Sequence, residues 1–234
     1  MPGSRPNPAL LAAIIRFNAP EAGDFAPEAL PEPAAALLRN GVLRRLEGSW
    51  TGRAMVRAWL FRQLDLNGCF TDFQEEIRRL ALLHRESVRG LALLYGACVY
   101  APEAAVLVRR EDVASLRAGL GTHYDYALAA GRFQIRRARD IFASFRPDEP
   151  LLERMTAAGF AAMRCCLAAW PAPLARLADA RLPAELRRKA LPAADADDER
   201  FLSAWGSAAP DLFWPDLKKL LLSEVAPQWQ TCFA

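Results

Sequence analysis

Apolar positions recur at steps of three and four along most of the chain, which is the spacing of one face of an α-helix. The strongest stripe lies in residues 71–95 and consists of Phe73, Ile77, Leu80, His84, Val88, Leu91 and Tyr95. Charged residues fall largely on the opposite face of the same stretch. The pattern predicts one core helix over residues 71–95, covered by other elements on more than one side.

The same spacing predicts further helices on both sides of this stretch, at residues 9–17, 34–46, 53–66, 112–120, 124–131, 133–145 and 151–170. A stripe of Leu217, Leu220, Leu221 and Val225 predicts a last helix near the C-terminus, docked on the rest of the chain. Other apolar side chains expected to face inward are Met55, Trp59, Leu60, Ala105, Val106 and Val108.

The composition favours the same architecture. Apolar residues make up 53% of the 234 residues, and they are mainly Leu and Ala, which lose little freedom in a helix. The β-branched residues that favour strands are scarce. The predicted fold class is therefore all-α, a compact multi-helix single domain.

The N-terminal part departs from this pattern. Residues 1–33 are predicted to form a short helix and then an irregular Pro-rich arm, because proline removes a helical hydrogen bond. Phe25 and Leu30 are the expected anchors of the arm on the body. Residues 34–234 are predicted to form the single helical domain.

The charges nearly balance, with 30 basic and 27 acidic residues and a net charge of +3. A dedicated nucleic-acid binder carries a stronger positive field, so that class is disfavoured. The five cysteines are odd in number and irregularly spaced, which is typical of a reduced, cytoplasmic protein. The longest uncharged apolar stretch, residues 91–101, is shorter than the ~20 residues that cross a bilayer, so we expect no direct membrane insertion.

Groups with catalytic chemistry are sparse. His84 lies on the apolar stripe and is expected to be buried and structural, while His123 follows a glycine turn and is expected to be a cap or a surface residue. The sequence has no nucleophile elbow, no phosphate-binding loop and no helical zinc-binding motif. It therefore predicts no catalytic, cofactor-binding or metal-binding residues, and no enzyme.

One stretch is similar to a helix–turn–helix motif. Residues 112–120, a glycine turn and residues 124–132 are followed by a basic cluster of Arg132, Arg136, Arg137 and Arg139. Such motifs place their second helix in the major groove of DNA. Asp125, however, stands where the motif needs an apolar packing residue, so a plain helical hairpin with a basic face is favoured. A DNA-binding regulator that uses residues 112–139 is the alternative.

Large aromatic residues cluster near the C-terminus, at Trp214, Trp229 and Phe233. Such side chains are typical of interface anchors and equally typical of protein cores. At a chain end the core interpretation is favoured.

Three segments together resemble a known family. The first is Arg16-Phe17-Asn18 with Pro20 and then FAPEALP at residues 25–31, and the second is LLYGACVYAPEAAVLVRREDVASLRAGLGTHYDYAL within residues 91–128. The third is Trp214-Pro215, KKLLL at residues 218–222, Pro227, Trp229, Cys232 and Phe233. With these segments the chain resembles the cytosolic adaptors of type III secretion sorting platforms, the SctK/YscK family.

The resemblance implies a non-enzymatic cytoplasmic scaffold, peripheral to the inner-membrane secretion apparatus, with a role in protein transport and virulence. Members of that family bridge the cytoplasmic domain of the inner-membrane ring protein and the C-ring-like platform protein of the injectisome. A bridging protein needs two surfaces. We expect one where guanidinium groups pair with acidic residues of a partner, at Arg109, Arg110, Arg132, Arg136, Arg137 and Arg139. We expect the other at Trp214, Trp229 and Phe233.

Overall fold

The computed structural model describes residues 7–135, 137–186 and 208–233. It is 73% helical, and those residues contain no β-strand, so the all-α prediction is confirmed. The α-helices are α1 Pro8–Asn18, α2 Ala34–Arg39, α3 Val42–Leu46, α4 Trp50–Gln63, α5 Arg85–Val99, α6 Ala101–Ala105, α7 Arg110–Leu120, α8 His123–Ala129, α9 Arg137–Phe142, α10 Leu151–Ala168, α11 Ala172–Asp179 and α12 Ala209–Leu220. Turns of 3₁₀ helix span Ala22–Asp24, Pro27–Ala29, Glu76–Leu82, Gly131–Phe133, Ala184–Leu186 and Pro227–Cys232, and a π-helical turn spans Leu221–Val225.

These elements group into two compact units, each built from separate stretches of the chain. The first unit takes the described residues of Met1–Arg85, Trp170–Pro192 and Trp229–Ala234. The second unit takes those of Glu86–Ala169 and Ala193–Gln228. The single domain predicted over residues 34–234 stays a prediction.

In the first unit, α1 is fixed at both of its ends. Asn7 caps its start, since the side-chain oxygen accepts the N–H groups of Ala9 at 2.9 Å and Leu10 at 3.4 Å. At the other end, the Asn18 amide exchanges two hydrogen bonds of 2.7 Å with the backbone of Phe70. Asn18 is buried, and a buried amide needs such partners.

The Pro-rich arm packs against the first unit through its predicted anchors. Phe25 and Leu30 are both buried, and the Ala26 N–H donates to the Ala180 carbonyl at 3.1 Å. Two short 3₁₀ turns carry the chain through this region, where proline excludes a continuous α-helix.

The core helix predicted over residues 71–95 is wrong in its first half. Glu76–Leu82 is a 3₁₀ helix, Leu83 is extended, and α5 begins two residues later. A 3₁₀ helix has three residues per turn, so Ile77, Leu80 and Leu83 lie on one side, and all three are buried. His84 lies at the break between the two helices and is exposed, so its predicted burial is also wrong.

Two other predicted helices differ from the structure. The helix expected over residues 34–46 is split into α2 and α3, because Gly41 adopts a left-handed φ of 68°. The helix expected from residue 53 begins earlier, at Trp50, because the Ser49 hydroxyl caps it by accepting the Gly52 N–H at 3.0 Å. Met55 was expected to face inward, but it is 67% exposed.

The second unit is built around the crossing of α5 and α10. A Cβ atom added to Gly96 would overlap the Met155 carbonyl, and one added to Gly159 would overlap the Ala92 carbonyl. Glycine is the one residue without a Cβ atom, so the two helix backbones touch here. Residues beside the crossing are fully buried, among them Leu91, Leu94, Ala158 and Met163.

The last helix, α12, packs on α10 within the second unit. Its predicted leucine stripe is buried, including Leu217 and Leu220. Phe213 of α12 lies 6.4 Å from Tyr95 and 5.8 Å from Phe142 between ring centroids. These aromatic contacts join α5, α9 and α12 into one core.

Ala105, Val106 and Val108 were expected to face inward, but all three are exposed, the two valines at 76% and 95%. α6 ends at Ala105, and Val106 is its C-cap residue. α7 begins only at Arg110. Val108 therefore stands in a connection between helices and has no helical face that would turn it inward.

We expect Gly96→Ala to destabilise the protein by about 3 kcal/mol or more, because the added methyl group forces α5 and α10 apart. Chemical denaturation followed by circular dichroism measures this loss. Gly23→Ala is the matched control, since a Cβ atom there meets nothing within 4 Å, and it should leave stability unchanged or slightly raised. Equal stability of the two variants would contradict the backbone contact.

Candidate protein-interaction surface

The connection between α6 and α7 carries two of the predicted partner-binding arginines. Arg109 is the last residue before α7 and Arg110 is its first, and both are exposed. Val106 and Val108 are exposed in the same connection. Two guanidinium groups therefore lie within a few residues of two uncovered aliphatic side chains.

The 3₁₀ turn Gly131–Phe133 is the second piece of this surface. Phe133 is 59% exposed, and the Arg132 guanidinium lies over its ring, 4.6 Å from the centroid. The Arg139 guanidinium in α9 donates to the Arg132 carbonyl, which ties the turn to α9. Arg132 is thus held beside an aromatic ring by a cation–π contact.

Close contacts hold both pieces on the second unit. α6 contacts the 3₁₀ turn, and Arg154 of α10 fixes α6 by pairing with Glu103 at 2.7 Å. A Cβ atom on Gly131 would overlap Cys98 Sγ, so glycine lets the turn lie directly on α5. We call the resulting set the valine–arginine surface, and its members are Val106, Val108, Arg109, Arg110, Arg132 and Phe133.

The other predicted arginines differ in position. Arg137 is exposed in the first turn of α9. Arg139 is half-buried and bound to the Arg132 carbonyl, so it supports the surface from within. Arg136 lies outside the described residues.

The helix pair α7–α8 does not extend as the DNA-binding alternative requires. α8 ends at Ala129, so the predicted second helix over residues 124–131 is shorter than expected. Tyr124, near its start, is buried, with the Arg117 guanidinium 5.1 Å from its ring centroid. A recognition helix needs free side chains at this end to contact bases. Asp125 is exposed on the same turn and would meet phosphates with negative charge.

The three C-terminal aromatic residues do not share one unit. Trp214 is half-buried in α12 of the second unit, whereas Trp229 and Phe233 belong to the first. Phe233 is 1% exposed, so its predicted role in partner binding is corrected to a role in the core. Trp229 is half-buried and packs on Phe233 at 6.5 Å between ring centroids.

His123 is a packing group in the second unit. It is the first residue of α8 and half-buried, and a Cβ atom on Gly90 of α5 would lie 3.3 Å from its Nε2 atom. Burial lowers the pKa of His123 below its ordinary value of 6.5. The imidazole is therefore neutral at physiological pH, where it rests against α5.

All five cysteines are free thiols. Burial raises the pKa of Cys98 and that of Cys165 to about 12, and it raises the pKa of Cys166 as well. Thiols with such pKa values stay protonated and unreactive. Across the described ranges, no three His, Cys, Asp or Glu side chains are grouped so as to hold a metal ion. In the same ranges, no helix has the length and apolar character to cross a bilayer.

A groove of about 690 Å³ lies in the first unit. Its lining includes the apolar residues Leu30, Pro31 and Leu64. Arg176 pairs with the Asp65 carboxylate at 2.6 Å and with the Asp65 carbonyl at 2.8 Å, which holds Asp65 in its left-handed φ of 53°. The charges of these two residues therefore compensate each other, and their contact fixes the path of the backbone after α4.

Sequence reasoning missed a second surface, which lies in the first unit. Leu46, Trp50 and Met55 are 53%, 76% and 67% exposed, and arginines surround them in α3 and α4. The signal was visible in the sequence, since residues 39–63 hold six arginines and a single acidic residue, Glu47.

A comparison with protein-family models finds no match, and comparisons with curated proteins and with solved structures find none either. The function proposed below therefore rests on the surfaces and on the sequence resemblance.

In the native protein we expect Ellman's reagent to modify one thiol rapidly, that of Cys69, because it is exposed and the other four cysteines are buried. Absorbance of the released thiolate counts the reacting groups. The rapid phase should disappear in Cys69→Ser, and all remaining thiols should react in denaturant. A second rapidly reacting thiol in the native protein would contradict the burial of the others.

Proposed function

We propose that the chain is a non-enzymatic cytoplasmic adaptor of a bacterial type III secretion sorting platform. In this role it bridges the cytoplasmic domain of the inner-membrane ring protein and the C-ring-like platform protein. Two things support the proposal: the resemblance of three sequence segments to the SctK/YscK family, and the exposed valine–arginine surface.

The valine–arginine surface is the observation that carries the proposal. Val106, Val108 and Phe133 are large apolar side chains that water solvates poorly, and exposed apolar area of this kind is typical of interaction sites. Arginine and aromatic residues are enriched at interface hot spots. The combination therefore fits a protein-binding surface.

The guanidinium groups define the chemistry of the partner. Arginine presents planar N–H donors that pair with carboxylates in a bidentate manner. We expect the partner to offer acidic residues to Arg109, Arg110 and Arg132, and apolar side chains to Val106 and Val108.

A DNA-binding regulator is the weaker candidate. α8 is short, Tyr124 is buried at its start, and Asp125 opposes a phosphate backbone. Duplex DNA nevertheless belongs in the binding experiment as the contrasting ligand.

Arg109→Glu combined with Arg132→Glu is expected to weaken binding to one of the two secretion partners by about tenfold or more, because each change replaces a donor with a repelling carboxylate. Biolayer interferometry measures the affinity for the immobilised ring-protein domain and for the platform protein. The melting temperature of the variant checks that it folds.

The matched control is Arg53→Glu with Arg57→Glu, which changes the net charge equally but lies in the first unit. It should leave the affinity for that same partner unchanged. Unaltered affinity of the Arg109–Arg132 variant for both partners would remove the valine–arginine surface from the proposal. Duplex binding that falls steeply with salt, without binding to either protein, would favour the DNA-binding alternative.

A further inference from the structure

The stretch that contains α3 and α4 of the first unit is far more basic than the chain as a whole. Residues 39–63 include Arg39, Arg44, Arg45, Arg53, Arg57 and Arg62, with Glu47 as the single acidic residue. Six positive charges less one negative charge leave +5, against +3 for the entire chain. The near balance of the total charge therefore hides a concentrated positive patch.

Most of these arginines form no close ion pair, and Arg53 has the Glu47 carboxylate as an electrostatic neighbour. Arg39 pairs with Glu32. The other five arginines form no ion pair with any residue that the structure describes; they are Arg44, Arg45, Arg53, Arg57 and Arg62. Arg53 and Arg57 stand four residues apart on α4, and like charges at this spacing repel each other. An anionic partner would relieve that repulsion.

Exposed apolar side chains lie among the same arginines. Leu46 ends α3 and Trp50 begins α4, and both are exposed. A Cβ atom on Gly52 would overlap the Leu46 carbonyl, so this glycine allows a tight turn between the two helices. The turn keeps Leu46 and Trp50 close together, and exposed tryptophan beside arginine has the composition of a binding hot spot.

Trp50 forms one edge of a pocket of about 320 Å³. Arg53, Ala54 and Arg57 line it from α4, and residues 19–21 line it together with Glu47. That wall is fixed, because the Glu47 carboxylate accepts the Ala22 N–H at 2.7 Å. The pocket therefore offers an aromatic edge, two guanidinium groups and room for an apolar side chain.

The surroundings of the pocket discriminate between classes of partner. Glu21 and Glu47 on the wall repel a continuous line of phosphates, which argues against nucleic acid. A bilayer surface needs one apolar face, but Trp50 and Met55 are five residues apart and lie on different sides of α4. A peptide can place separate carboxylates at Arg53 and Arg57 and turn an uncharged side chain toward the wall that holds Glu21 and Glu47, and it needs no continuous apolar face.

We propose that this surface docks an acidic peptide segment of a partner protein, with an apolar side chain seated against Trp50 and carboxylates paired with Arg53 and Arg57. We call it the Trp50 surface. It adds an interaction surface to the one in the second unit, and its assignment uses no part of the secretion resemblance. Failure of either proposal therefore leaves the other intact.

The test uses a synthetic peptide in which single glutamates alternate with leucines, titrated into the ¹⁵N-labelled full-length protein. Trp50 is one of six tryptophans, and loss of a signal in Trp50→Phe assigns its indole N–H resonance. We expect this resonance to shift in a saturable manner as the leucines reach the indole ring. Arg53→Glu with Arg57→Glu should weaken the binding by about tenfold or more.

Two controls separate specific docking from general charge attraction. Arg109→Glu with Arg110→Glu changes the net charge equally and should leave the Trp50 shift unchanged. A companion peptide with serines in place of the leucines should bind about tenfold more weakly. The proposal is overturned by the absence of a saturable shift, by equal binding of the companion peptide, or by equal losses in both charge-reversed variants. A larger Trp50 response to a DNA duplex or to phosphatidylserine vesicles would also overturn it.

Discussion

The second unit depends on α5, which three other elements approach more closely than ordinary side chains allow. α10 touches its backbone at Gly96, the His123 ring of α8 rests against Gly90, and the turn that contains Gly131 lies on Cys98. Contacts this close leave little freedom for the elements to shift. The valine–arginine surface includes the turn that rests on Cys98, so its geometry follows from the packing of this helix.

Both candidate surfaces combine uncovered apolar side chains with arginines, and magnitudes indicate what each part supplies. A solvent-exposed ion pair contributes about 0–1 kcal/mol, whereas complete burial of a large apolar side chain contributes about 1.5–3 kcal/mol. Phe133 and Trp50 are therefore the groups that would supply most of the affinity. The arginines would speed association with acidic partners and fix their orientation.

Sequence spacing predicted the features that depend on local pattern, such as the limits of α10 and the arm anchor Phe25. It failed where a contact with a distant part of the chain, or a single turn, determines the local structure. The apolar repeat of three residues before His84 is compatible with an α-helix and with a 3₁₀ helix alike. The sequence pattern also did not predict that α6 ends at Ala105. The Trp50 surface was missed because the helix was expected to begin at residue 53, whereas the Ser49 cap begins α4 at Trp50.

The proposed bridging role requires that the chain bind the ring-protein cytoplasmic domain and the platform protein at the same time. The most direct measurement is sedimentation velocity of the chain mixed with the ring-protein cytoplasmic domain and the platform protein. We predict one species that contains all three proteins. Two binary complexes that exclude each other, or no complex with either partner, would contradict the account.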